Sequence, residues 1–349
     1  MESITSIDFG DYNTAMNPLP SEKPEVIPSI TGYQWAALVL YFLVVVLGVP
    51  GNGLVVWTTT VEMKRSVNTI WFLNLAIADL LCCLSASLNI MTTLLGHWPL
   101  GLFACKFNSS ILLINMFSSV LLLTVISIDR CALVMKPVWC QNNRTLGKAY
   151  LACAVMWLLA IILAIPSFIF RTIEAKNDGN YTKCIQDYGS IGHNDQQRVE
   201  NAIAISRFLL GFIFPFLVIV TCYSILMIRV KERFTQNTKT LKVVLVVIIG
   251  FFVCWLPYHV AGLILASESR DSELYKSTRQ VDGILIAFAF MNSCINPIIY
   301  VLMGQDFKTK FRKSIRFILK NVLAEDMSES HDSRKSKSFS ETKNTDTVV

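Results

Sequence analysis

Seven long apolar stretches run through the chain, roughly Trp35 to Thr60, Asn68 to Leu95, Phe103 to Met135, Tyr150 to Phe170, Asn201 to Arg229, Leu241 to Ala266 and Val281 to Met303. A hydrocarbon core about 30 Å thick is crossed by ~20 apolar residues in helical form, and every stretch reaches that length. Backbone polar groups in lipid must be satisfied within the segment, which blocks this long achieve as helices and not as barrel strands. With 53% hydrophobic and only 16% charged residues in 349, the composition excludes an ordinary soluble domain. The expected fold is therefore an all-α membrane protein, a seven-transmembrane helix bundle. Four parts follow: a tail (1–34), the bundle (35–303), a short amphipathic helix (304–320) and a polar tail (321–349).

Lys and Arg in short loops mark the cytoplasmic side. Lys64 and Arg65, then 130–148, 229–242 and 308–320, supply that excess on one side, whereas Glu174, Asp178, Asp187, Asp195, Glu268, Asp271 and Glu273 sit on the other. The N-terminus is thus expected outside. Residues 1–34 hold five acids, one Lys and no apolar signal core, so the first span is expected to direct insertion. Of ten cysteines, eight fall in spans or on the cytoplasmic side, where packing is their default role. Cys105 and Cys184 face outside, and a disulfide between them would pin the loop after the fourth span across the helix mouth. Asn180-Tyr181-Thr182 in that loop is an acceptor for glycosylation on the correct side, whereas Asn108-Ser109-Ser110 lies inside the third span and should be silent.

Polar residues inside a membrane are functional candidates because each is costly unless partnered. Asp79 has no local base, and Asn115, Ser119, Asn292, Ser293 and Asn296 on other spans can converge on it as a hydrated cation site; a neutral, hydrogen-bonded cross-link is the plainer reading. Pro50, Pro166, Pro215, Pro257 and Pro297 each interrupt a span and remove an intrahelical bond. Cys254-Trp255-Leu256-Pro257 sets a bulky indole beside such a weak point, an arrangement suited to a switch.

Gly51-Asn52, Asn74-Leu75-Ala76-Ile77-Ala78-Asp79, Asp129-Arg130, Trp157, Pro215 with Tyr223, Cys254-Trp255-Leu256-Pro257 and Asn296-Pro297-Ile298-Ile299-Tyr300 occur in order on successive spans. In this the chain resembles a rhodopsin-like G protein-coupled receptor over essentially residues 35–320. Within that family it is most similar to the chemoattractant group and its complement anaphylatoxin receptors, through IWFLNLAIADLLCCL, KPVWCQN, IPSFIFR, TKTLKVV and FFVCWLPY; formyl peptide receptors share RFLLGF and GQDF. The short loop after the fourth span argues against the complement 3a receptor, whose loop is very long.

The resemblance implies that Asp129 holds Arg130 at the cytoplasmic end of span three until span six moves outward and Arg130 meets a heterotrimeric G protein, of the inhibitory class. Trp255, Pro257, Asn296, Pro297 and Tyr300 would form the switch. Cys131 stands where the family usually has an aromatic. Arg171, Glu200, Arg207 and Asp282 set both signs of charge at one cavity mouth. The implied ligand is a basic complement anaphylatoxin, component 5a, whose C-terminal carboxylate would meet Arg207 and whose guanidinium would meet Asp282. Trp98, Ile111, Ile114, Tyr258 and Phe288 would make the apolar wall. Another chemoattractant peptide, such as a formyl peptide, is the alternative ligand.

Asp8, Asp11 and Tyr12 form an acidic patch suited to steering such a ligand, with added charge if Tyr12 is sulfated. Phe307, Phe311, Ile315 and Ile318 repeat at helical spacing among basic residues, as on a helix lying along the inner leaflet. Beyond it Ser328, Ser330, Ser333, Ser336, Ser338, Ser340 and Thr342 could take phosphate from receptor kinases and so recruit arrestin. The final Thr347-Val348-Val349 suits a PDZ-domain scaffold. No Lys lies between Lys276 and Lys308, so an opsin-type Schiff base is excluded. Paired repeats expected of a secondary transporter, a catalytic constellation and any nucleic-acid signature are missing too. A regulatory sodium ion at Asp79 is the one cofactor expected, and the plasma membrane the expected location.

Overall fold

A computed structural model of the chain describes residues 30–176, 181–189, 192–232 and 238–303. The first to fourth spans are Gly32–Glu62, Val67–Leu95, Gly101–Met135 and Leu146–Ile169, with a short helix Pro137–Asn143 between the third and fourth. The fifth runs from His193 through Glu232 and the sixth is Thr238–Ser267. Six of the described helices are long and apolar enough to cross a membrane. The seventh is divided at Met291 into Glu273–Phe290 and Asn292–Met303.

The fifth and seventh helices start eight residues earlier than their apolar stretches, at His193 and Glu273 in place of Asn201 and Val281. Those added turns are polar, because an apolar run marks only the part that lipid covers. The beginning of the seventh is set by a cap, Ser272 accepting from the Tyr275 amide, just as Ser66 and Thr69 form a reciprocal box at the start of the second span, whereas the fifth starts after Gly192 at φ 91° with no side-chain cap.

The third span is the axis of the bundle, 72% buried over its apolar window against 22% for the fourth. Phe117, Met116, Val120, Leu122 and Leu123 of that span meet Phe212, Phe251, Trp255 and Phe290 in one contiguous core. Leu and Ile on outward faces, such as Leu151 and Ile161, remain exposed for lipid. Pro50 and Pro215 follow π-turns at Val44–Gly48 and Leu209–Ile213, wider turns that accommodate the missing amide. Gly48 is required where it stands: a Cβ there would lie 2.3 Å from Cys83 Sγ.

One end of the bundle is capped by an antiparallel hairpin, β1 (Arg171–Lys176) and β2 (Tyr181–Gln186). The Cys105–Cys184 disulfide ties β2 to the top of the third span. Thr182 adds a second tie, its carbonyl accepting from the Trp98 amide at 2.7 Å. The other eight cysteines are free thiols, seven buried and Cys131 half-buried.

Candidate functional site

Beneath the hairpin lies a cavity of about 580 Å³, within the range of ligand pockets. Arg171, Glu200, Arg207, Tyr258 and Asp282 all line it. Arg207 comes from the fifth span just before its π-turn; its Nη1 donates to Tyr258 Oη at 3.0 Å, and the guanidinium lies 5.1 Å from the Tyr258 ring centroid. Its Nε is buried and without a hydrogen-bond partner among the described residues, as is that of Arg171. Burial pulls Arg171 below its ordinary range, opposed by Tyr258 and Asp282, and pushes the Tyr188 phenol beside it up to about 12. Two poorly paired guanidinium groups in a closing cavity favour a carboxylate-bearing occupant. Asp282 already has a cation: Arg279 Nη1 donates to its Oδ2 at 3.0 Å. Of the expected apolar wall, Trp98 and Tyr258 line the cavity; Leu112, Leu113 and Phe117 line it where Ile111 and Ile114 were expected, and Ile286 and Phe290 where Phe288 was.

Below the cavity, Trp255 is fully buried and packs edge-on against Tyr258, with centroids 5.5 Å apart. Pro257 sits within the same helix. Deeper still, Asp79 is 0% exposed; its Oδ1 accepts from Asn115 Nδ2 at 3.0 Å and its Oδ2 from Asn296 Nδ2 at 2.5 Å. Ser119 Oγ, Asn115 Oδ1, Ser293 Oγ and Asn292 Nδ2 are buried with no partner among the described residues. The structure thus brings Asn115 and Asn296 onto the acid as expected, and Ser119, Asn292 and Ser293, the other three residues expected there, are buried on the same spans.

At the end opposite the hairpin the pairing differs from expectation. Asp129 does not spend its carboxylate on neighbouring Arg130: both oxygens accept from Arg144, at 2.7 Å from Nε and 3.0 Å from Nη2. Consecutive residues on a helix point about 100° apart, whereas Arg144 approaches from the loop ahead of the fourth span in bidentate geometry. Arg130 Nη2 donates instead to Asn68 Oδ1 at 2.6 Å, and Arg144 Nη2 donates to the same oxygen at 2.6 Å. Nothing in the sequence pattern singled out Asn68 or Arg144; only the cap at Ser66, which fixes where the second span begins, hints at Asn68.

Asp8, Asp11, Tyr12, Asn180, Ser328, Ser330, Ser333, Ser336, Ser338, Ser340, Thr342, the amphipathic 304–320 and the terminal Val349 lie outside the described residues. For Tyr300 the helix is described, the side chain not.

A ligand-sized, charged cavity at one end of a seven-helix bundle, with a buried polar column running toward a charged network at the other, defines a multi-pass membrane receptor. Residues 51–300 match the model of the family described as 7 transmembrane receptor (rhodopsin family), and the chain belongs to that family, one of receptors and not of enzymes. It is similar to C5a anaphylatoxin chemotactic receptor 1 of Oryctolagus cuniculus, 47% identical over 329 residues and 93% of each chain. The Homo sapiens protein of that name is 44% identical over 333 residues, 93% of this chain and 92% of its own. The C3a anaphylatoxin chemotactic receptor of Oncorhynchus mykiss is 41% identical over 330 residues, covering 93% and 89%. With so little of the trout protein outside the match, a short loop after the fourth span does not separate the two kinds of receptor.

Proposed function

We propose that the chain is a plasma-membrane receptor, N-terminus outside, for the complement anaphylatoxin component 5a, signalling chemotaxis and inflammation through an inhibitory-class heterotrimeric G protein. The names of its relatives favour that ligand. The observation that carries the reading is Arg207: a guanidinium deep in the cavity, held by one phenol, with its Nε unpaired. A ligand's C-terminal carboxylate would complete Arg207, and a terminal Arg side chain would replace Arg279 on Asp282. Each contact exchanges a weak or absent pair for a charge-assisted one in a partly dry site.

An occupant on Arg207 would also press on Tyr258, which packs against Trp255 above Pro257. That is a contiguous route from the cavity to the hinge of span six. At the far end, releasing Arg130 from Asn68 would present it to the G protein. The donors around Asp79 suit a sodium ion: a carboxylate with spare lone pairs and three unpaired oxygens, on Asn115, Ser119 and Ser293, are the hard ligands such a cation takes. Bound there, the ion would supply positive charge to Asp79, and those residues would hold spans two, three and seven together in the resting bundle. Steering by Asp8, Asp11 and Tyr12, glycosylation at Asn180, receptor-kinase and arrestin engagement through the Ser328–Thr342 cluster, and a PDZ scaffold at Val349 rest on the sequence.

The experiment is nucleotide exchange on a purified G protein by the receptor in lipid, with component 5a, the same protein lacking its last residue, and formyl peptides as ligands. Component 5a is expected to activate, with the loss of its terminal residue mattering to the native receptor and little to Arg207→Ala. Activation by formyl peptides alone would replace this reading with the alternative one.

A further inference from the structure

We infer that the part of the cavity bordered by the second and third spans is a subsite for an uncharged amide of the ligand, formed by Asn89 and Asn108, and that it limits which residues the ligand's terminal segment can carry. The inference rests on the peptide-ligand reading above and adds to it a determinant on different spans.

Asn108 sits one turn below Cys105 on the third span, and Asn89 faces it from the second; both line the cavity. Asn108 Nδ2 donates to Asn89 Oδ1 at 3.1 Å. Asn108 is 8% exposed, and its Oδ1 has no hydrogen-bond partner among the described residues. Its sequon cannot explain it, because a glycan cannot be attached to a buried helical side chain. Packing does not explain it either: two leucines would fill these positions without desolvating two amides.

A primary amide has one acceptor oxygen and two donor hydrogens. The single bond between the two side chains leaves an acceptor on Asn108 and donors on Asn89, and turning both amides over leaves the same complement with the residues exchanged. One free acceptor beside free donors is the complement of another amide. Neighbouring Thr92 and Thr93 do not satisfy it, since their hydroxyls donate to carbonyls of their own helix, at 3.0 Å to Leu88 and 2.7 Å to Asn89. Ionic groups of a ligand are drawn to Arg171, Arg207 and Asp282, all outside these two spans. An aliphatic group placed between Asn89 and Asn108 would keep the Asn108 oxygen buried and unpaired, and sites with such groups reject ligands lacking the matching polar atom.

The test uses short peptides ending in Arg that carry Gln at every preceding position, with each Gln replaced in turn by norleucine and, in a parallel series, each backbone nitrogen methylated. In the native receptor one position should lose binding by roughly tenfold, about 1.4 kcal/mol. In Asn108→Leu that loss should vanish at that position and persist elsewhere; which series shows it tells whether the amide is a side chain or the backbone. Asn89→Leu and Asn108→Ala repeat the comparison should Asn108→Leu fail to reach the cell surface. Identical losses in native and variant receptors overturn the inference. The same peptides, free and C-terminally amidated, are run on Arg207→Ala: coupling there with none at Asn108 removes only the amide subsite, while no binding of Arg-terminated peptides at all removes the anaphylatoxin reading and the subsite with it.

Discussion

Asn52 of the first span donates its side-chain amide to the backbone carbonyl of Ser293 in the seventh, at 2.8 Å. That carbonyl lies four residues before Pro297, whose ring nitrogen has no hydrogen to offer it. The other Asn52 hydrogen goes to Gly48 O at 3.0 Å. Next door, a Cβ on Gly51 would stand 3.1 Å from the Pro297 ring, so the absent side chain is what allows the two helices to meet. Gly51-Asn52 and Asn296-Pro297 are therefore one structural device, a proline kink and the donor and clearance that accommodate it.

Asn52→Leu keeps the volume and removes the donor. A buried carbonyl left without a partner costs about 1–3 kcal/mol, so the variant should unfold several degrees below the native receptor in a thermal assay while Gly53→Ala, where a Cβ meets nothing within 4 Å, should not. Equal melting of Asn52→Leu and native protein would show that water replaces the amide.

The network at the opposite end leads to a second expectation. Asn68 Oδ1 is the acceptor for Arg130 in this state, a hydrogen bond to a charged group worth about 1.5–3 kcal/mol. Removing it with Asn68→Leu should raise ligand-free nucleotide exchange by about tenfold or more, whereas Arg130→Ala should abolish exchange and leave ligand binding near normal. Basal exchange unchanged in Asn68→Leu would mean that Arg130 is restrained by something else.

The spans were legible because lipid imposes a length and a composition on each, and the disulfide because Cys105 and Cys184 alone of the ten cysteines lie at the end of the bundle that the hairpin caps. Asp79 with Asn115 and Asn296 was legible for a related reason: few polar residues are tolerated at that depth, so those present must find one another. Partner choice at Asp129 was not. Arg130 is adjacent in sequence and Arg144 fifteen residues away, and which one reaches the carboxylate depends on how Pro137–Asn143 turns the chain back beneath the bundle. Asn108 lies buried inside the third span, as its sequon was read, but its bond to Asn89 was not legible, because that partner stands on another helix.

Asp282 provides a third expectation. Its partner Arg279 is 62% exposed, one turn away on the same helix, and exposed pairs of this spacing contribute only about 0.2–1 kcal/mol. A ligand guanidinium must displace Arg279 before it can bind Asp282, so Arg279→Ala should tighten binding of an Arg-terminated ligand by up to about fivefold, the equivalent of the upper end of that pair energy. Asp282→Asn should weaken the ligand and make the residue at 279 irrelevant. Weaker binding in Arg279→Ala would assign Arg279 to the ligand and not to Asp282.

The last expectation concerns the buried acid. If Asp79, Asn115, Ser119 and Ser293 hold sodium in the resting bundle and release it in the signalling one, the ion stabilises the resting state by RT ln(1 + [Na⁺]/Kd), about 1.4 kcal/mol at tenfold excess over its dissociation constant. Raising sodium at constant ionic strength, with a larger organic cation as the balance, should then weaken agonist binding by up to about tenfold and leave a ligand with no preference between the states unaffected. Asp79→Asn retains the size and one acceptor for Asn115 or Asn296 but loses the charge that the cation needs, so its agonist affinity should be indifferent to sodium. Agonist binding to the native receptor that ignores sodium would reduce Asp79 to a cross-link among spans two, three and seven, in which case Asp79→Asn should alter thermal stability and nothing else.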